Sequence, residues 1–536
     1  MDNTPDTVEK PPLEAPTGRW AWVTLVVRRL GLPPHTATVA MLAAVYYLLL
    51  QWSFPSLAEF DAYYHVGVSQ LYLDEGFVRK FPWMTITFLR DRFNDPQFLL
   101  HLLTMPWLAI GVDGIVAGKL VAALTATLLA VVLHWFLCRR AVRWPVVWTL
   151  VWLVVSPYTV ARLTFVKTTA LFIAVILLFL DAMFERRRWR LFVLGAVAVY
   201  TYQGFPLLLV LVAAWAGARA IWAGESFDVK SLRATLWGIL VGLVVNPFFP
   251  NDLYFFHFEI VQQILMKPKE VAMGAEWMPV DTVRFAGSMG LCLLLLAGSG
   301  LASSLARVKL DGRQLFIRCL AYLLFLGALT SARLMEYFAP FAVVAAAMAV
   351  TAVMEQPGAA FRPGMRAIWG ALLFIGIPAA VLNVKDGVRT SKSLAAQIDS
   401  DGYRRVAEFL EKNTTEGSVV VSHWDDFPML FMFNSKNHYL FGLSPSYAYG
   451  HDPRLYMVHS MFFEGRIQDP ESFVRQVGSR HVVLARAESY PGRRALVESL
   501  TRSPWFDEVM SEGAFRVFAL RDTAKLRPPV APTTGQ

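Results

Sequence analysis

Long apolar runs recur along this chain between residues 37 and 384, and they constrain its fold more than any other feature. A helix needs about 20 apolar residues to cross the hydrocarbon core of a bilayer. By that measure the sequence predicts about eleven membrane-spanning helices, at residues 37–53, 114–138, 144–160, 168–184, 191–203, 206–222, 232–249, 284–305, 314–331, 335–354 and 367–384. The runs 191–203 and 206–222 could also form one bent helix, since only a short break separates them. The chain is therefore predicted to be a polytopic α-helical membrane protein.

Lys and Arg residues predict the orientation, because cytoplasmic loops carry an excess of them. If the runs all cross the bilayer, the basic clusters fall on one side, at residues 28–29, 139–143, 186–190, 230–233, 307–313 and 362–366. That side is predicted to be the cytoplasm, with residues 1–36 as a cytoplasmic N-terminal tail. The expected location is the cytoplasmic (inner) membrane, and the lack of a eukaryotic-type retention signal favours a prokaryotic source.

The long polar segments then lie outside the cytoplasm. The transmembrane domain is predicted at residues 37–386, with outer loops at 54–113 and 250–283. Residues 387–522 are predicted to form an extracytoplasmic domain of mixed α/β type. Its helix and strand patterns lie at residues 403–412, 418–421, 481–485 and 515–520. Residues 523–536 are rich in Pro and Thr, which is typical of a disordered tail.

The composition excludes two broad classes. Charged residues make up 17% of the chain, against about 25% in an average globular protein, so a soluble enzyme is not expected. The net charge of +9 comes from short basic clusters between apolar runs. Such clusters are typical of loops that touch anionic membrane lipids, and the chain lacks the basic stripe with aromatics that nucleic-acid binding requires.

Two carboxylates and a histidine follow the first span, in the run from Glu59 through Asp61 to His65. A carboxylate at this boundary can bind a divalent cation through oxygen, or take a proton as a general base. Alternatively, Asp61 caps the helix that follows it. Farther along the same loop, Asp95 precedes a proline and would cap a helix that carries His101.

Three cations lie on the face where the positive-inside rule disfavours them. Arg162 and Lys167 follow the third predicted span, where paired cations can hold a phosphate, although long side chains also reach the interface from apolar segments. Arg333 opens the tenth span and shares a helix face with Glu336 and Tyr337. Ionisable residues in an apolar segment are functional by default, so Arg333 is predicted to bind an anion. The alternative is an Arg333–Glu336 pair that neutralises itself.

Two further polar groups lie on the predicted outer face. The loop 250–283 is long enough to act as a lid, and it carries Glu270 and Glu276. A strand-to-helix turn in the α/β domain carries aromatic and acidic side chains. These could cap the helix or contact a sugar or acceptor, and they are His423, Trp424, Asp425 and Asp426.

Together these features resemble the GT-C glycosyltransferases, and most closely the catalytic subunits of oligosaccharyltransferases. The likeness rests on the Asp61 loop, on Arg333, and on the Trp424–Asp425 pair in a C-terminal outer domain. It implies inverting transfer of a sugar or glycan from a polyprenyl phosphate or diphosphate carrier, outside the cytoplasm. The implied partners are this donor, an acceptor lipid, glycan or protein, and membrane lipids.

The resemblance also implies roles for the residues near the membrane. Asp61 corresponds to the acid of the first outer loop, as general base or metal ligand, and Glu59 completes an acidic pair. Arg333 would bind the donor phosphate. Where the family has a second acidic pair before the fourth span, this chain has Lys167. The loss of a likely metal ligand and the presence of Lys167 in its place favour direct neutralisation of the donor phosphate by this cation. Either no cofactor is required, or a divalent cation such as Mg²⁺ or Mn²⁺ binds through Asp61.

The remaining roles concern the acceptor and the lid. Glu276 or Glu270 would stand for the acid of the family's mobile outer loop. Trp424 and Asp425 match the last two positions of the family's acceptor motif, and His423 replaces its first tryptophan.

Two other classes of function stay open. A secondary transporter is disfavoured because the ionisable residues cluster at one face, and no paired interrupted helices occur in two corresponding halves of the sequence. A non-catalytic membrane subunit of a polysaccharide assembly system is disfavoured by the acids Asp61 and Glu59.

Overall fold

The computed structural model describes residues 32–260, 271, 274–358, 363–486 and 491–521. The helices up to residue 260 are α1 (Thr36–Gln51), α2 (Asp61–Glu75), α3 (Phe98–Ala109), α4 (Gly114–Arg139), α5 (Pro145–Val154), α6 (Pro157–Arg162), α7 (Thr169–Phe184), α8 (Arg188–Thr201), α9 (Leu207–Ala223), α10 (Val229–Val245) and α11 (Asn251–His257). They are followed by α12 (Thr282–Leu305), α13 (Gly312–Ala328), α14 (Met335–Met354) and α15 (Pro363–Ala395). Glu270, most of the predicted N-terminal tail and the predicted tail 523–536 lie outside the described residues.

Each apolar run that was predicted to span a membrane coincides with at least one helix. Among the described residues, four helical stretches are long and apolar enough to cross a bilayer, namely Gly114–Arg139, Thr282–Leu305, Ala332–Met354 and Gly364–Asn413. Shorter apolar helices include α1, α3, α5, α7 and α9. The number of eleven spans therefore stays a prediction.

Two of the predicted runs differ in detail from the helices. Helices α8 and α9 are separated by residues 202–206, so the alternative of one bent helix is wrong. The third predicted run contains two helices, because α5 ends at Val154 and α6 begins at Pro157. Proline has no N–H to donate and its ring clashes with the preceding turn, so it starts a helix more readily than it continues one.

Burial differs sharply between two helices of the bundle. Helix α14 is enclosed along nearly its whole length, and its many alanines allow neighbouring helices to approach closely. Helix α15 instead exposes a continuous set of large apolar side chains, including Leu373, Phe374 and Ile377. An exposed apolar surface of this extent is expected where a helix faces lipid.

The two ends of α7 carry separate clusters of charge. Its 16 residues extend for about 24 Å. At its C-terminal end, Glu185 Oε1 lies 3.2 Å from Arg140 Nη2 and 3.1 Å from Arg313 Nη1. These three residues come from three loops that the sequence predicted to be cytoplasmic. Lys167 precedes the opposite end of the helix, where the cavity described below opens.

The C-terminal part of the chain forms a five-stranded sheet in the order β2-β1-β3-β5-β4. The strands are β1 (Val419–Val421), β2 (His438–Tyr439), β3 (Ser479–Leu484), β4 (Phe506–Glu512) and β5 (Phe515–Leu520). β1 is parallel to β2 and β3, whereas β5 is antiparallel to β3 and β4. The helices of this part are α16 (Ser400–Asn413), α17 (Phe427–Phe433), α18 (Pro445–Tyr449), α19 (Pro453–Phe463), α20 (Pro470–Gln476) and α21 (Pro491–Arg502). The three predicted strand patterns coincide with β1, β3 and β5.

The first outer loop is built into this sheet. Backbone N–H groups of Thr85 and Ile86 donate to the carbonyl oxygens of Tyr439 and Leu440 at 2.9 and 3.0 Å, so the loop covers the free edge of β2. Helix α2 also packs against α17. A Cβ at Gly67 would lie 3.0 Å from the ring of Phe431, so glycine permits this close approach. These contacts hold the residues after the first span against the α/β region.

Candidate active site

A cavity of about 510 Å³ opens where the apolar helices meet the first outer loop and the α/β region. The predicted site residues come from distant parts of the sequence, and the fold brings many of them to this one cavity. Those that line it are Glu59, Asp61, His65, Asp95, Arg162, Lys167, Glu276, Arg333, Trp424 and Asp425.

Lys167 bridges the two acids of the first outer loop. Its Nζ lies 2.9 Å from Glu59 Oε1 and 3.4 Å from Asp61 Oδ2. Burial raises the pKa of Glu59 to about 8, with a further rise from Asp61 and an opposing effect from Lys167. Burial would lower the pKa of Lys167, but the nearby carboxylates hold it above its usual range. Near neutral pH, Lys167 is therefore an ammonium and Glu59 is mostly protonated.

The Asp61 side chain is directed to the cavity and does not cap a helix. Helix α2 begins with Asp61 itself, and no side chain makes a capping hydrogen bond there. About a third of the Asp61 side chain is exposed. A carboxylate that water can reach, with an ammonium nearby, can receive a proton from a hydroxyl in the cavity.

Glu276 lies at the point where three cations converge. Its Oε2 is 2.9 Å from Arg162 Nη2 and 3.7 Å from Lys167 Nζ, and its Oε1 is 3.1 Å from Arg333 Nη1. Burial would raise the pKa of Glu276, but Lys167, Arg333 and Arg162 lower it well below its usual range. The three side chains are therefore arranged to bind an anion, and a carboxylate of the protein occupies that position.

Arg333 lies on a short turn, Ala332–Leu334, directly before α14. Its guanidinium lies 4.8 Å from the centre of the Trp277 ring and 5.5 Å from that of Tyr202, which restricts its position. Glu336 forms its ion pair with Arg162. The alternative that Arg333 and Glu336 merely neutralise each other is therefore wrong.

Glu336 and Tyr337 lie behind the cavity wall. Glu336 is buried and holds the Arg162 guanidinium from the membrane side. Tyr337 is also buried, and its ring contacts Phe172 edge-on. Glu336 thereby holds one of the cations of the cavity in place.

His65, His101 and Asp95 form a buried chain of hydrogen bonds. His65 Nδ1 lies 2.9 Å from His101 Nε2, and His101 Nδ1 lies 2.6 Å from Asp95 Oδ2. Asp95 also accepts hydrogen bonds from the Tyr72 hydroxyl at 2.8 Å and the Gln97 backbone N–H at 2.9 Å. Helix α3 begins at Phe98, so Asp95 precedes the capping position and serves the histidines instead.

Glu259 is a cavity residue that the sequence analysis missed. It directly follows α11, and its Oε1 accepts a hydrogen bond from the Tyr447 hydroxyl at 3.0 Å, while its Oε2 lies 3.4 Å from Gln203 Nε2. Burial raises its pKa to about 7. One signal was present, because Glu259 is a lone acid in an otherwise apolar stretch, where charge is costly.

Trp424 and Asp425 reach the cavity from the turn between β1 and α17. Asp425 Oδ2 lies 2.8 Å from Arg486 Nη2, its Oδ1 lies 2.9 Å from Arg493 Nη2, and His423 Nδ1 contacts the same oxygen. Burial would raise the pKa of Asp425, but His423 and the two arginines lower it below its usual range. The Asp425 carboxylate is thus already paired with His423 and the two arginines of the protein.

Asp426 is fully buried and bonded within the α/β region. Its Oδ1 accepts from the Tyr403 hydroxyl at 2.5 Å and lies 3.2 Å from Arg486 Nη2. Its side chain makes no capping bond to α17. These contacts assign Asp426 to holding the turn that presents Trp424.

The acids of this region do not fit a divalent cation as they are arranged. The ligand atoms of His423, Asp425 and Asp426 lie within 4.8 Å of one another, but two guanidinium groups already neutralise the carboxylates. At Glu59 and Asp61, the ammonium of Lys167 lies between the oxygens that would bind a metal. We therefore derive no chemical step through a metal ion.

No protein-family model matches the chain, and neither does any curated protein. Solved structures do match. The oligosaccharyltransferase of Archaeoglobus fulgidus, tethered to an acceptor peptide with an NVT sequon, has a TM-score of 0.61 and 13% identity over 91% of this chain and 74% of its own. The AglB oligosaccharyltransferase of the same organism, in complex with an inhibitory peptide and a dolichol-phosphate, has a TM-score of 0.58 and 11% identity over 94% and 75%.

A second enzyme matches over its whole length. ArnT from Cupriavidus metallidurans, bound to undecaprenyl phosphate, has a TM-score of 0.52 and 13% identity over 94% of this chain and 98% of its own. These neighbours are membrane glycosyltransferases of the GT-C type. At such low identity the likeness concerns the fold, and the GT-C resemblance predicted from the sequence is confirmed at that level.

Proposed function

We propose that this protein transfers a sugar or glycan from a polyprenyl phosphate or diphosphate carrier to an acceptor, on the extracytoplasmic face of the membrane. The observation that carries the proposal is the convergence of Arg162, Lys167 and Arg333 beside Asp61, in one cavity at the mouth of an apolar helix bundle. Fixed cations in a partly dry site stabilise charge that builds on a leaving phosphate. The neighbours with bound dolichol-phosphate and undecaprenyl phosphate support a carrier of this class.

The proposed reaction is a single inverting displacement. The acceptor oxygen bonds to the anomeric carbon, its proton passes to Asp61, and the bond from that carbon to the carrier phosphate breaks. The released phosphate carries the electron pair away and is neutralised by Arg333 and Lys167. Glu276 occupies this anion position now, so it must move aside when the carrier binds. Its place in the predicted lid loop is consistent with such a movement.

The acceptor would approach along Trp424. The indole ring offers a flat apolar face for a sugar or lipid acceptor, and Asp425 lies beside it at the cavity wall. Glu59 is the more enclosed acid of the pair, since 15% of its side chain is exposed against 35% for Asp61, and burial raises its pKa to about 8. The acceptor class stays a proposal: a lipid, a glycan or a protein.

The proposed orientation rests on the distribution of charge along the bundle. The Arg140, Glu185 and Arg313 cluster lies at one end of α7, and the cavity lies at the other. Since arginines accumulate on the cytoplasmic side, the cavity and the α/β region would be extracytoplasmic, with the N-terminus in the cytoplasm.

The test is reconstitution with extracted polyprenyl-linked sugars, followed by measurement of released polyprenyl phosphate or diphosphate. We expect Asp61→Asn and Arg333→Ala each to abolish release while the protein stays folded. Release that survives EDTA would support direct neutralisation by Lys167. A folded wild-type protein that releases neither product from any donor would contradict the proposal and favour a transporter or a non-catalytic assembly subunit.

A further inference from the structure

The buried chain of Asp95, His101 and His65, hereafter the histidine relay, ends at an unused atom. His65 Nε2 is buried and has no hydrogen-bond partner among the described residues, although His65 lines the cavity. The side chains of Asp95 and His101 are enclosed as well. Leaving a buried polar atom without a hydrogen-bond partner costs free energy. We therefore expect a ligand group to bind this nitrogen.

The hydrogen bonds of the relay determine where its protons lie. Asp95 already accepts hydrogen bonds from the Tyr72 hydroxyl and from the Gln97 backbone N–H. If Asp95 also accepts from His101 Nδ1–H and His101 is neutral, His101 Nε2 is an acceptor. His101 Nε2 accepts from His65 Nδ1–H in turn, and His65 Nε2 is left with a lone pair.

Two features keep this arrangement in place. The ring of Tyr64 packs edge-on against both histidines, with ring centres 5.4 Å from His65 and 6.2 Å from His101. Burial, followed by His101 and Lys167, lowers the pKa of His65 well below its usual range. His65 is therefore neutral at working pH, and its Nε2 is an acceptor rather than a donor.

We propose that His65 Nε2 is a binding subsite for a hydroxyl group of the sugar or the acceptor, and that Asp95, through His101, sets the tautomer that makes it an acceptor. A ligand group with a hydrogen-bond donor at this position would satisfy the buried nitrogen. Asp95 and His101 are positioning residues, because they act through His65. The assignment of the hydroxyl to a glycosyl-transfer substrate rests on the function proposed above.

The discriminating variant is Asp95→Asn. Gln97 N–H favours the amide oxygen on its side, and the Tyr72 hydroxyl can turn to accept from the amide NH₂, which then also donates to His101 Nδ1. Every tautomer along the relay then reverses, and His65 Nε2 becomes a donor. Tyr72→Phe is the matched control, because it also removes one hydrogen bond to Asp95 but leaves the acceptor for His101 in place.

The first measurement is the ¹⁵N spectrum of histidine-labelled, reconstituted protein, assigned with His65→Asn and His101→Asn. We expect an unprotonated Nε2 for His65 in the wild type and in Tyr72→Phe, and a protonated Nε2 in Asp95→Asn. A protonated His65 Nε2, or a doubly protonated His101, in the wild type would overturn the proposal.

The second measurement is release of polyprenyl phosphate or diphosphate from the extracted donors. We expect kcat/KM to fall by at least about 100-fold in Asp95→Asn, because a mispaired buried group rejects the substrate that the correct one binds. Tyr72→Phe should stay within about threefold of wild type. Unchanged turnover in an Asp95→Asn protein whose tautomer has reversed would overturn the subsite.

A third measurement separates this proposal from the proposed function. If the wild type shows no turnover, the methyl glycosides of glucose, galactose, mannose and arabinose are titrated against the ¹⁵N spectrum. A shift of His65 Nε2 that is absent in Asp95→Asn would support the hydroxyl subsite even though glycosyl transfer had failed. No shift with any of the four would overturn it. If Asp95→Asn does not fold, the wild-type spectrum and this titration decide.

Discussion

Two clusters of acids and cations lie close together in this protein and differ in their access to water. The cavity cluster consists of Glu59, Asp61, Arg162, Lys167, Glu276 and Arg333. The domain cluster consists of Asp425, Asp426, Arg486 and Arg493. In the cavity cluster the side chains are between 13% and 35% exposed, whereas in the domain cluster Asp426 and Arg493 are 0% and 4% exposed and Arg486 and Asp425 are 13% and 18% exposed.

The comparison shows that ion pairs made of the same residue types can serve different roles. A partly hydrated ion pair can exchange its partner for a ligand, because water and the ligand replace what is lost. An enclosed pair cannot, because removal of one member leaves an uncompensated charge in a medium of low dielectric constant. The cavity cluster therefore suits ligand exchange, and the enclosed Asp426–Arg493 pair of the domain cluster suits stability.

The largest effect is expected from removing an enclosed cation. Arg493→Met leaves Asp425 and Asp426 short of a partner, and breaking such a buried pair costs about 3–5 kcal/mol. We expect a large drop in Tm, measured by thermal unfolding in detergent. Arg333→Met is the matched change in the cavity cluster and should lose turnover with a much smaller change in Tm. Equal destabilisation by the two variants would remove the distinction between the clusters.

A smaller effect is expected when the internal anion is removed. Glu276→Gln frees the position between Arg162, Lys167 and Arg333, so inorganic pyrophosphate should bind about tenfold more tightly, which corresponds to about 1.4 kcal/mol. Isothermal titration calorimetry measures the change. Glu336→Gln is the control, because this residue pairs with Arg162 from outside the cavity. Equal gains in the two variants, or no gain in Glu276→Gln, would mean that Glu276 does not occupy the phosphate position.

A third prediction concerns the pH dependence of stability. The pKa of Glu59 rises from its ordinary 4.5 to about 8 in the folded protein, mainly through burial. Between these values the folded protein keeps a proton that the unfolded chain releases, so the contribution of Glu59 to stability declines as pH rises. Glu59→Gln should remove this decline when Tm is followed from about pH 5 to about pH 8.

Glu259→Gln provides a comparison for that measurement. The pKa of Glu259 is raised to about 7. The decline in stability that Glu259 causes should therefore end at a lower pH than the decline that Glu59 causes. If the wild type and Glu59→Gln have parallel profiles across the whole range, Glu59 is not a buried acid of the kind described.

Much of the local structure was predictable, because it depends on neighbours in sequence. Apolar runs predicted the positions of the helices, and alternating patterns predicted β1, β3 and β5. The break between α8 and α9 left two readings open, because a bent helix and two helices share the same hydropathy. Pro157 divided the third run, although that run is apolar throughout.

The partners within the site were less predictable. Sequence spacing suggested that Arg333 pairs with Glu336, since they lie on one helix face, but Glu336 pairs with Arg162. Asp95 was expected to cap a helix, and it anchors two histidines instead. Helical spacing reports which residues share a face. It does not report which other element packs against that face.

The sequence by itself determined the class of protein, which is an apolar helical bundle with a C-terminal α/β region. It also showed a set of ionisable residues whose placement near apolar segments costs too much free energy to be accidental. Only the tertiary structure decided which of these residues meet. Arg162 and Glu276 are 114 positions apart, and His65 and His101 are 36 apart. Hydropathy and periodicity are local properties, whereas contact between distant segments depends on how whole helices pack.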